Sequence, residues 1–297
     1  MIFVAVFLNL KFVTSKMKEK TKLQKLIFQT RRDILRMVNN VNSGHPGGSL
    51  GCTEFFIALY HEVMDINKNF TMDGKNEDIF FLSNGHISPV FYSTLARRGF
   101  FPISELSTFR LINSRLQGHP TTHENLPGIR IASGSLGQGL SVALGASLSK
   151  KLNNDNKLVY VLLGDGELQE GQNWEAAMFA SSNKVDNIIA TVDLNGKQID
   201  GSTDEVLNLG DLNNKFSSFG WEVLQLKEGN NVESIINTLK KAKTLTKKEK
   251  PIIILMETEM GNGVDYMMGT HEWHGKAPND ELLLKALDQN PETIGDY

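Results

Sequence analysis

The sequence predicts an α/β fold in which a parallel sheet carries helices on both faces. The 297 residues, 40% of them hydrophobic, are enough for one large domain with a substantial core. The strand-like runs at 158–164 and 251–257 are apolar throughout, without the polar alternation of a strand that has one wet face. Because these runs alternate with segments of helical periodicity, a parallel sheet covered on both sides is the expected architecture.

The first part of the chain is predicted to be mainly helical. Apolar residues at helical spacing predict a helix over 19–41, and the glycine-rich segment 43–49 ends it. Thr53 is a candidate cap for the next helix. A short buried strand at 78–83 and a helix at 89–98 follow.

Strands and helices are predicted to alternate in the second part of the chain. Before it lies region 99–134, a long segment without strong periodicity that contains His119 and His123; such segments are more often functional loops than filler. The remaining predicted elements are a helix at 135–152, a strand at 158–164, a crossover helix, a strand ending in Asp193-Leu194-Asn195, a strand at 219–226, a helix at 232–242, a strand at 251–257 and a terminal helix near 282–287.

Composition and charge exclude several classes of protein. The formal net charge is −3, so neither a nucleic-acid nor a membrane surface is indicated. Cys52 is the sole cysteine, which rules out an intramolecular disulfide and fits a reducing, cytoplasmic compartment; we expect a small buried side chain there. Residues 1–13 are apolar, but they are too short for a membrane span and lack the features of a secretory signal.

A single domain is the simplest partition of the chain. The sequence contains no internal repeat, low-complexity tract or proline- and serine-rich linker. Met17 looks like a more natural start than Met1. We therefore expect residues 1–16 to be a disordered lead or the product of an upstream start codon, and residues 17–297 to form the α/β domain.

The chemistry is concentrated in residues 158–195. Asp165 and Asn195 each follow an apolar run, so they are expected at the ends of two parallel strands, the edge where ligands bind in open α/β sheets. Their oxygens and the Lys197 carbonyl suit a hard cation such as Mg²⁺, which would hold a diphosphate. Gly164 and Gly166 allow a ligand to approach the backbone closely. A strand followed by a tight turn with an aspartate cap is the plainer interpretation of Gly-Asp-Gly alone.

A dinucleotide fingerprint is the competing interpretation of the glycine-rich segment 134–139. This segment does not follow a clear strand, and no acidic residue stands at the expected later position. We therefore favour the diphosphate site.

Four of the seven histidines are candidates for proton transfer. His45, His86, His119 and His271 lie in loops beside glycine or proline, and imidazole near neutral pH donates, accepts and transfers protons. His61 fits a structural role on a helix. For His123 and His274, functional and structural roles remain equally open.

Five motifs in order resemble those of transketolases. They are NSGHPG at 42–47, LSNGH at 82–86, QGHP at 117–120, SGSLGQG at 133–139 and GTHEWHG at 269–275, with GDGELQEG and an asparagine thirty residues after its aspartate between the last two. The spaced aspartate and asparagine resemble the thiamine diphosphate motif. The similarity covers residues 23–275, and several motifs in the family's order are far more specific than any one of them.

The resemblance implies roles for individual residues. Asp165, Asn195 and the Lys197 backbone match ligands of Mg²⁺, with Ca²⁺ or Mn²⁺ as substitutes. Glu170 matches an acidic residue at the subunit interface that links two cofactor sites. The residues that match the cofactor-binding groups are His86, Gly134, Ser135, Leu136, Gly164, Asp165, Gly166, Asn195 and His271. The histidines that match the substrate channel are His45, His86, His119 and His271.

The resemblance also implies a missing half. Complete transketolases are more than twice as long. Their second domain binds the cofactor's pyrimidine and carries the arginines that bind the sugar phosphate. We expect this chain to be the N-terminal subunit of a split transketolase of carbohydrate metabolism, completed by a separately encoded C-terminal subunit in an α₂β₂ assembly, and acting on sugar phosphates. The alternatives are half of another thiamine enzyme, such as 1-deoxyxylulose-5-phosphate synthase or a 2-oxo acid dehydrogenase E1 subunit, or a non-catalytic binding subunit.

Overall fold

The fold is a five-stranded parallel sheet with helices on both faces, as seen in a computed structural model. The structure describes the backbone of residues 2–297 and the side chains of residues 21–297. The predicted lead at 1–16 lies outside the described side chains, so its boundary stays a prediction. Among the described residues, no helix is long and apolar enough to cross a membrane.

Helices precede the first strand and separate the later ones. Their bounds are α1 (Ile2–Asn40), α2 (Pro46–Gly51), α3 (Thr53–Ala58), α4 (Ser88–Arg98), α5 (Gly139–Leu152), α6 (Gly171–Ser182), α7 (Thr203–Leu207), α8 (Leu212–Ser218), α9 (Val232–Leu245) and α10 (Asp280–Gln289).

The strands of the main sheet run in the order β1-β2-β3-β7-β6. Their bounds are β1 (Ile79–Leu82), β2 (Val159–Gly164), β3 (Ile188–Leu194), β6 (Glu222–Leu226) and β7 (Ile252–Glu257), with β4 (Lys197–Gln198) and β5 (Gly201–Ser202) forming a small antiparallel hairpin after β3. Gly164 pairs with Asp193 in the register of β2 and β3, so the two strands end side by side.

Each face of the sheet packs against its own hydrophobic core. Phe80 and Leu82 of β1 face the core built with α1, α3, α4 and α9, whereas Ile79 and Phe81 face the one built with α5, α6 and α8. Successive side chains of a strand point to opposite faces, so a strand buried on both faces must be apolar throughout. The continuous apolar runs in the sequence have this cause.

Three local expectations needed correction. Thr53 does not cap its helix: it is the first helical residue, and its Oγ1 donates to the Ser49 carbonyl at 3.1 Å. Helix α5 begins at Gly139 rather than at residue 135, because the preceding loop needs positive φ at Gly134 and Gly137. The strand expected at 219–226 begins only at Glu222.

Candidate active site

A cleft of about 360 Å³ opens at the carboxyl edge of the sheet, where β2 and β3 end. The position agrees with the rule that open α/β sheets bind ligands outside the carboxyl ends of their strands. The cleft is lined by residues that the sequence marked as site candidates, namely His45, His86, Gly134, Leu136, Gly164, Asp165, Gly166, Glu170, Asn195 and Lys197.

Asp165 and Asn195 lie at the floor of the cleft, where backbone amides donate hydrogen bonds to both side chains. Asp165 Oδ1 accepts a hydrogen bond from Gly166 N at 2.7 Å, and its Oδ2 accepts one from Gly196 N at 2.6 Å. Asn195 Oδ1 accepts from Lys197 N at 2.9 Å. The bond from Gly196 N to Asp165 connects the ends of β2 and β3, and the other two bonds fix each side chain on its own turn.

Asp193 lies directly behind Asn195 and orients its amide. The Asn195 amide nitrogen donates to Asp193 Oδ2 at 2.9 Å, which assigns the nitrogen to one side and leaves Oδ1 on the other. Thr258 Oγ1 donates to the other carboxylate oxygen, and the Cys52 thiol also bonds to Asp193. From the sequence, Asp193 was predicted only to end a strand. In the structure it is buried and lines the cleft.

The two carboxylates lack a basic partner. Burial is the main cause that raises the pKa of Asp165 to about 7, and the negative charge of Asp193 adds to it. Burial likewise raises the pKa of Asp193. Within the described part of the chain, no lysine or arginine forms an ion pair with either group. Two buried carboxylates beside an amide oxygen form an environment that a divalent cation would stabilise, and the donor set therefore fits one.

Among the described residues, no group of three or more histidine, cysteine, aspartate or glutamate side chains has the arrangement of a metal site. The predicted ligand set is of a different kind, since it combines one carboxylate with an amide oxygen and a backbone carbonyl while the diphosphate supplies further oxygens.

Imidazole rings from four segments form a cluster at the cleft. Three of them, His45, His86 and His274, line it, whereas His119 lies outside the lining, beside His45. The His45 ring centroid lies 5.2 Å from that of His86, 5.7 Å from that of His274 and 6.1 Å from that of His119. His86 and His274 are 5.0 Å apart. His45 directly precedes α2, and His86 lies in the one-turn helix Gly85–Ile87 after β1, so the carboxyl edge of the sheet brings them together.

The structure places the other histidine candidates differently. His274 is part of the ring cluster, whereas His271 is exposed and does not line the cleft. A backbone bond explains the position of His274: Gly47 N donates to the Trp273 carbonyl at 3.1 Å, which fixes the following residue beside the start of α2. His123 is exposed on the long loop.

The clustered histidines are held in the neutral form. Burial is the main cause that lowers the pKa of His45 to about 4, and His274, Arg110 and His119 lower it further. Burial also lowers the pKa of His86 well below its ordinary value, with contributions from His274, His45 and His119. Neutral imidazoles can both accept and donate protons, which suits contacts with sugar hydroxyls.

A glycine-rich loop forms a further part of the cleft lining. Gly134 has φ +136°, and a Cβ at this position would come within 3.0 Å of the His119 ring, so glycine is required there. Leu136 lines the cleft, whereas Ser135 is exposed outside the lining. Glu170 is exposed at the rim, where its Cβ would meet any side chain added at Gly137.

Two further buried polar residues of the cleft were missed in the sequence. Asn84 is 1% exposed, and its Oδ1 has no hydrogen-bond partner among the residues that the structure describes. Glu167 is 2% exposed and makes three hydrogen bonds. Asn84 lies within the motif LSNGH and Glu167 within GDGELQEG. No spacing pattern in the sequence distinguished either residue from the other members of its motif.

Comparison with known proteins connects this cleft to one family. The family model described as transketolase, thiamine diphosphate binding domain, matches residues 23–289. A subunit of the apulose-4-phosphate transketolase of Phocaeicola vulgatus is 36% identical, over 90% of this chain and 92% of its own length. The 6-deoxy-6-sulfo-D-fructose transketolase subunit SqwG of Clostridium sp. is also 36% identical, over 86% of this chain and 92% of its own.

Solved transketolase structures share the fold. The enzyme from Leishmania mexicana superposes with a TM-score of 0.84 at 28% identity, and that from Campylobacter jejuni with 0.81 at 33% identity. They match 93% and 90% of this chain, but in each case the match covers 42% of the larger protein. The chain thus spans about two fifths of the solved transketolases and nearly the whole of the relatives that are themselves transketolase subunits.

Proposed function

Because the chain belongs to the transketolase family, we propose that it is the diphosphate-binding subunit of a two-subunit transketolase. In this proposal it transfers a two-carbon ketol unit from a ketose to an aldose, or between their phosphates, with thiamine diphosphate and a divalent cation. One observation carries the proposal: the Asp165–Asn195 pair and the neutral histidine cluster share one cleft at the ends of β2 and β3.

The floor of the cleft is the proposed site for the diphosphate. Asp165, Asn195 and the Lys197 carbonyl would hold Mg²⁺, with Ca²⁺ or Mn²⁺ as substitutes, and Gly164 and Gly166 would leave room for phosphate oxygens. When bound, thiamine diphosphate supplies the nucleophilic carbon that carries the two-carbon unit. Gly134, Ser135 and Leu136 are the proposed contacts of its rings.

The histidines are proposed to bind the sugar and move its protons. Neutral His45, His86 and His119 would accept and donate hydrogen bonds with hydroxyl groups, and a proton taken from one hydroxyl could be returned to another position. His274 shares their cleft and joins this proposal. His271 remains a candidate as a contact of the cofactor or substrate in the assembled enzyme.

A partner subunit is proposed to complete the site. The relatives that are transketolase subunits match this chain almost end to end, and the solved enzymes contain a further three fifths of chain. Gln138, just before α5, donates to Gln172 of α6 at 2.9 Å. The two helices expose Val142, Met178 and Phe179 at 42–53%. Large exposed apolar side chains on adjacent helices fit an interface between subunits, near the proposed interface residue Glu170, in an α₂β₂ assembly.

The test is reconstitution with a C-terminal transketolase subunit. Apulose 4-phosphate and 6-deoxy-6-sulfo-D-fructose, named by the relatives, are the first donors to try, with an aldose phosphate as acceptor. We expect Mg²⁺-dependent two-carbon transfer only from the mixture. Full activity of this chain alone would refute the split assembly, and pyruvate accepted as donor would favour a 1-deoxyxylulose-5-phosphate synthase-like enzyme.

A further inference from the structure

Glu167 joins three segments that build the cleft. Its Oε2 accepts from Gly164 N at 3.0 Å, at the end of β2, and its Oε1 accepts from Gly137 N at 2.8 Å, in the loop before α5. The Ser83 hydroxyl, just after β1, also donates to Oε1. Glu167 and Ser83 are both buried, so one carboxylate shielded from solvent satisfies donors from three separate parts of the sequence.

Ser83 extends this connection to the start of helix α5. Its Oγ accepts from Gly139 N at 3.1 Å while its hydroxyl hydrogen points to Glu167. Gly139 is the first residue of α5, where backbone N–H groups have no partner within the helix, and Gly137 lies two residues before it in the loop. Ser83 therefore supplies the acceptor for the first amide of α5, and Glu167 supplies the acceptor for the loop amide before it.

The two segments that Glu167 holds through Gly137 and Gly164 also contain the proposed cofactor contacts. Gly134 and Leu136 lie in the loop fixed through Gly137, and Asp165 and Gly166 follow the strand end fixed through Gly164. We propose that Glu167 is a positioning residue for thiamine diphosphate and its cation, since it holds these two segments in fixed relation to each other. This inference rests on the proposed function. It identifies Glu167 as the residue that would hold the cofactor site in its binding geometry.

The chemistry at Glu167 predicts which replacement will fail. In Glu167→Gln the side-chain amide keeps one acceptor oxygen, but its NH₂ group must face either Gly137 N–H or Gly164 N–H, donor against donor. One segment is then released. Ser83→Ala keeps the carboxylate and its bonds to Gly137 and Gly164. It removes the bonds of Ser83 to Glu167 and to Gly139, so a smaller effect in the same direction is expected.

The experiment compares these variants in the full chain, alone and with its C-terminal partner. Titration with thiamine diphosphate and Mg²⁺ is followed by intrinsic fluorescence, and amide hydrogen exchange is measured on the chain alone. Glu167→Gln should weaken cofactor binding about 10- to 100-fold, and exchange should accelerate at 134–139 and 164–166. Glu257→Gln, an exposed glutamate at the same edge of the sheet, is the matched control.

The outcomes separate this inference from the proposed function. A Kd of Glu167→Gln or of Ser83→Ala within the range of the control would overturn the positioning role, even if melting temperatures fall. If Glu167→Gln does not fold, Ser83→Ala decides by the same comparison. Failure of the wild-type complex to bind the cofactor would overturn the proposed function, and the positioning role with it; this result appears before any substitution is made.

Discussion

The Asn195 amide nitrogen donates to Asp193 Oδ2 at 2.9 Å, and this bond fixes the direction of the amide oxygen at the floor of the cleft. Asn195 Oδ1 points away from Asp193, and within the described part of the chain it accepts a hydrogen bond only from the Lys197 amide. An amide side chain can otherwise rotate by half a turn and exchange its oxygen for nitrogen. The buried carboxylate of Asp193 therefore holds Asn195 in the orientation that the proposed cation site requires.

Asp193→Asn is expected to weaken binding of Mg²⁺ in the presence of thiamine diphosphate by about 10- to 100-fold. The substitution keeps the size of the side chain but removes an acceptor oxygen, so the Asn195 amide is no longer held in one orientation. Equilibrium titration of the reconstituted enzyme measures the effect. Asp288→Asn, on the exposed side of α10, is the control; equal affinities in the two variants would contradict the expectation.

His274→Ala is expected to lower kcat/KM for ketol transfer about 100-fold, and more than His271→Ala does. The His274 ring lies within 6 Å of the His45 and His86 rings, whereas His271 is exposed. Steady-state kinetics of both variants in the assembled enzyme make the comparison. A larger loss in His271→Ala would show that assembly brings His271 to the substrate, as its motif predicts.

The fold could be predicted because burial on both faces leaves a simple pattern. Runs such as 158–164 have no polar face, and parallel strands joined by helices end at one edge. Once β2 and β3 were expected to be neighbours, Asp165 and Asn195 had to lie close together. This part of the site follows from strand order alone.

Other parts of the site depend on contacts between distant segments. Asp193 is held by hydrogen bonds from Cys52 and Thr258, which are distant in sequence. Glu167 likewise depends on hydrogen bonds from Ser83 and from the loop before α5. In the loop that holds both His271 and His274, the sequence favoured His271 as the site residue, whereas the structure places the His274 ring in the cleft. That choice is set by the bond from Gly47 N to the Trp273 carbonyl, across more than 200 residues.

Removal of the Arg110 charge is expected to raise the pKa of His45. Arg110 stands near His45 and disfavours its protonated form, as do His274 and His119, and burial remains the largest cause of the value of about 4. In Arg110→Gln the protonated form loses one repulsion, so the titration moves to higher pH. Nuclear magnetic resonance of the imidazole carbons between pH 3.5 and 8 measures it.

Arg115→Gln is the control for this titration. Arg115 lies on the same loop, but Glu105 neutralises it through bonds of 2.8 and 2.9 Å. The pKa of His45 should remain at about 4 in this variant. In the wild-type chain His45 should stay neutral from pH 8 down to about 5, and a titration midpoint above 6 would contradict its burial among cationic neighbours.

Asp296→Asn is expected to lower the free energy of unfolding by roughly 1 to 2 kcal/mol at pH 7. Asp296 fastens the C-terminal tail to α1: Arg32 donates to its two oxygens at 2.8 and 2.6 Å, and Gln29 donates at 2.7 Å. The hydrogen bond from Arg32 is the main cause that lowers the pKa of Asp296 to about 2. Because the folded-state pKa lies below that of the unfolded chain, the contribution is complete above about pH 4 and is lost as the pH falls towards 2.

Urea unfolding at pH 7 and at decreasing pH should show the difference between wild type and Asp296→Asn shrinking, whereas Asp288→Asn should unfold like wild type throughout. A difference that persists unchanged at pH 2 would mean that the carboxylate charge is not what holds the tail.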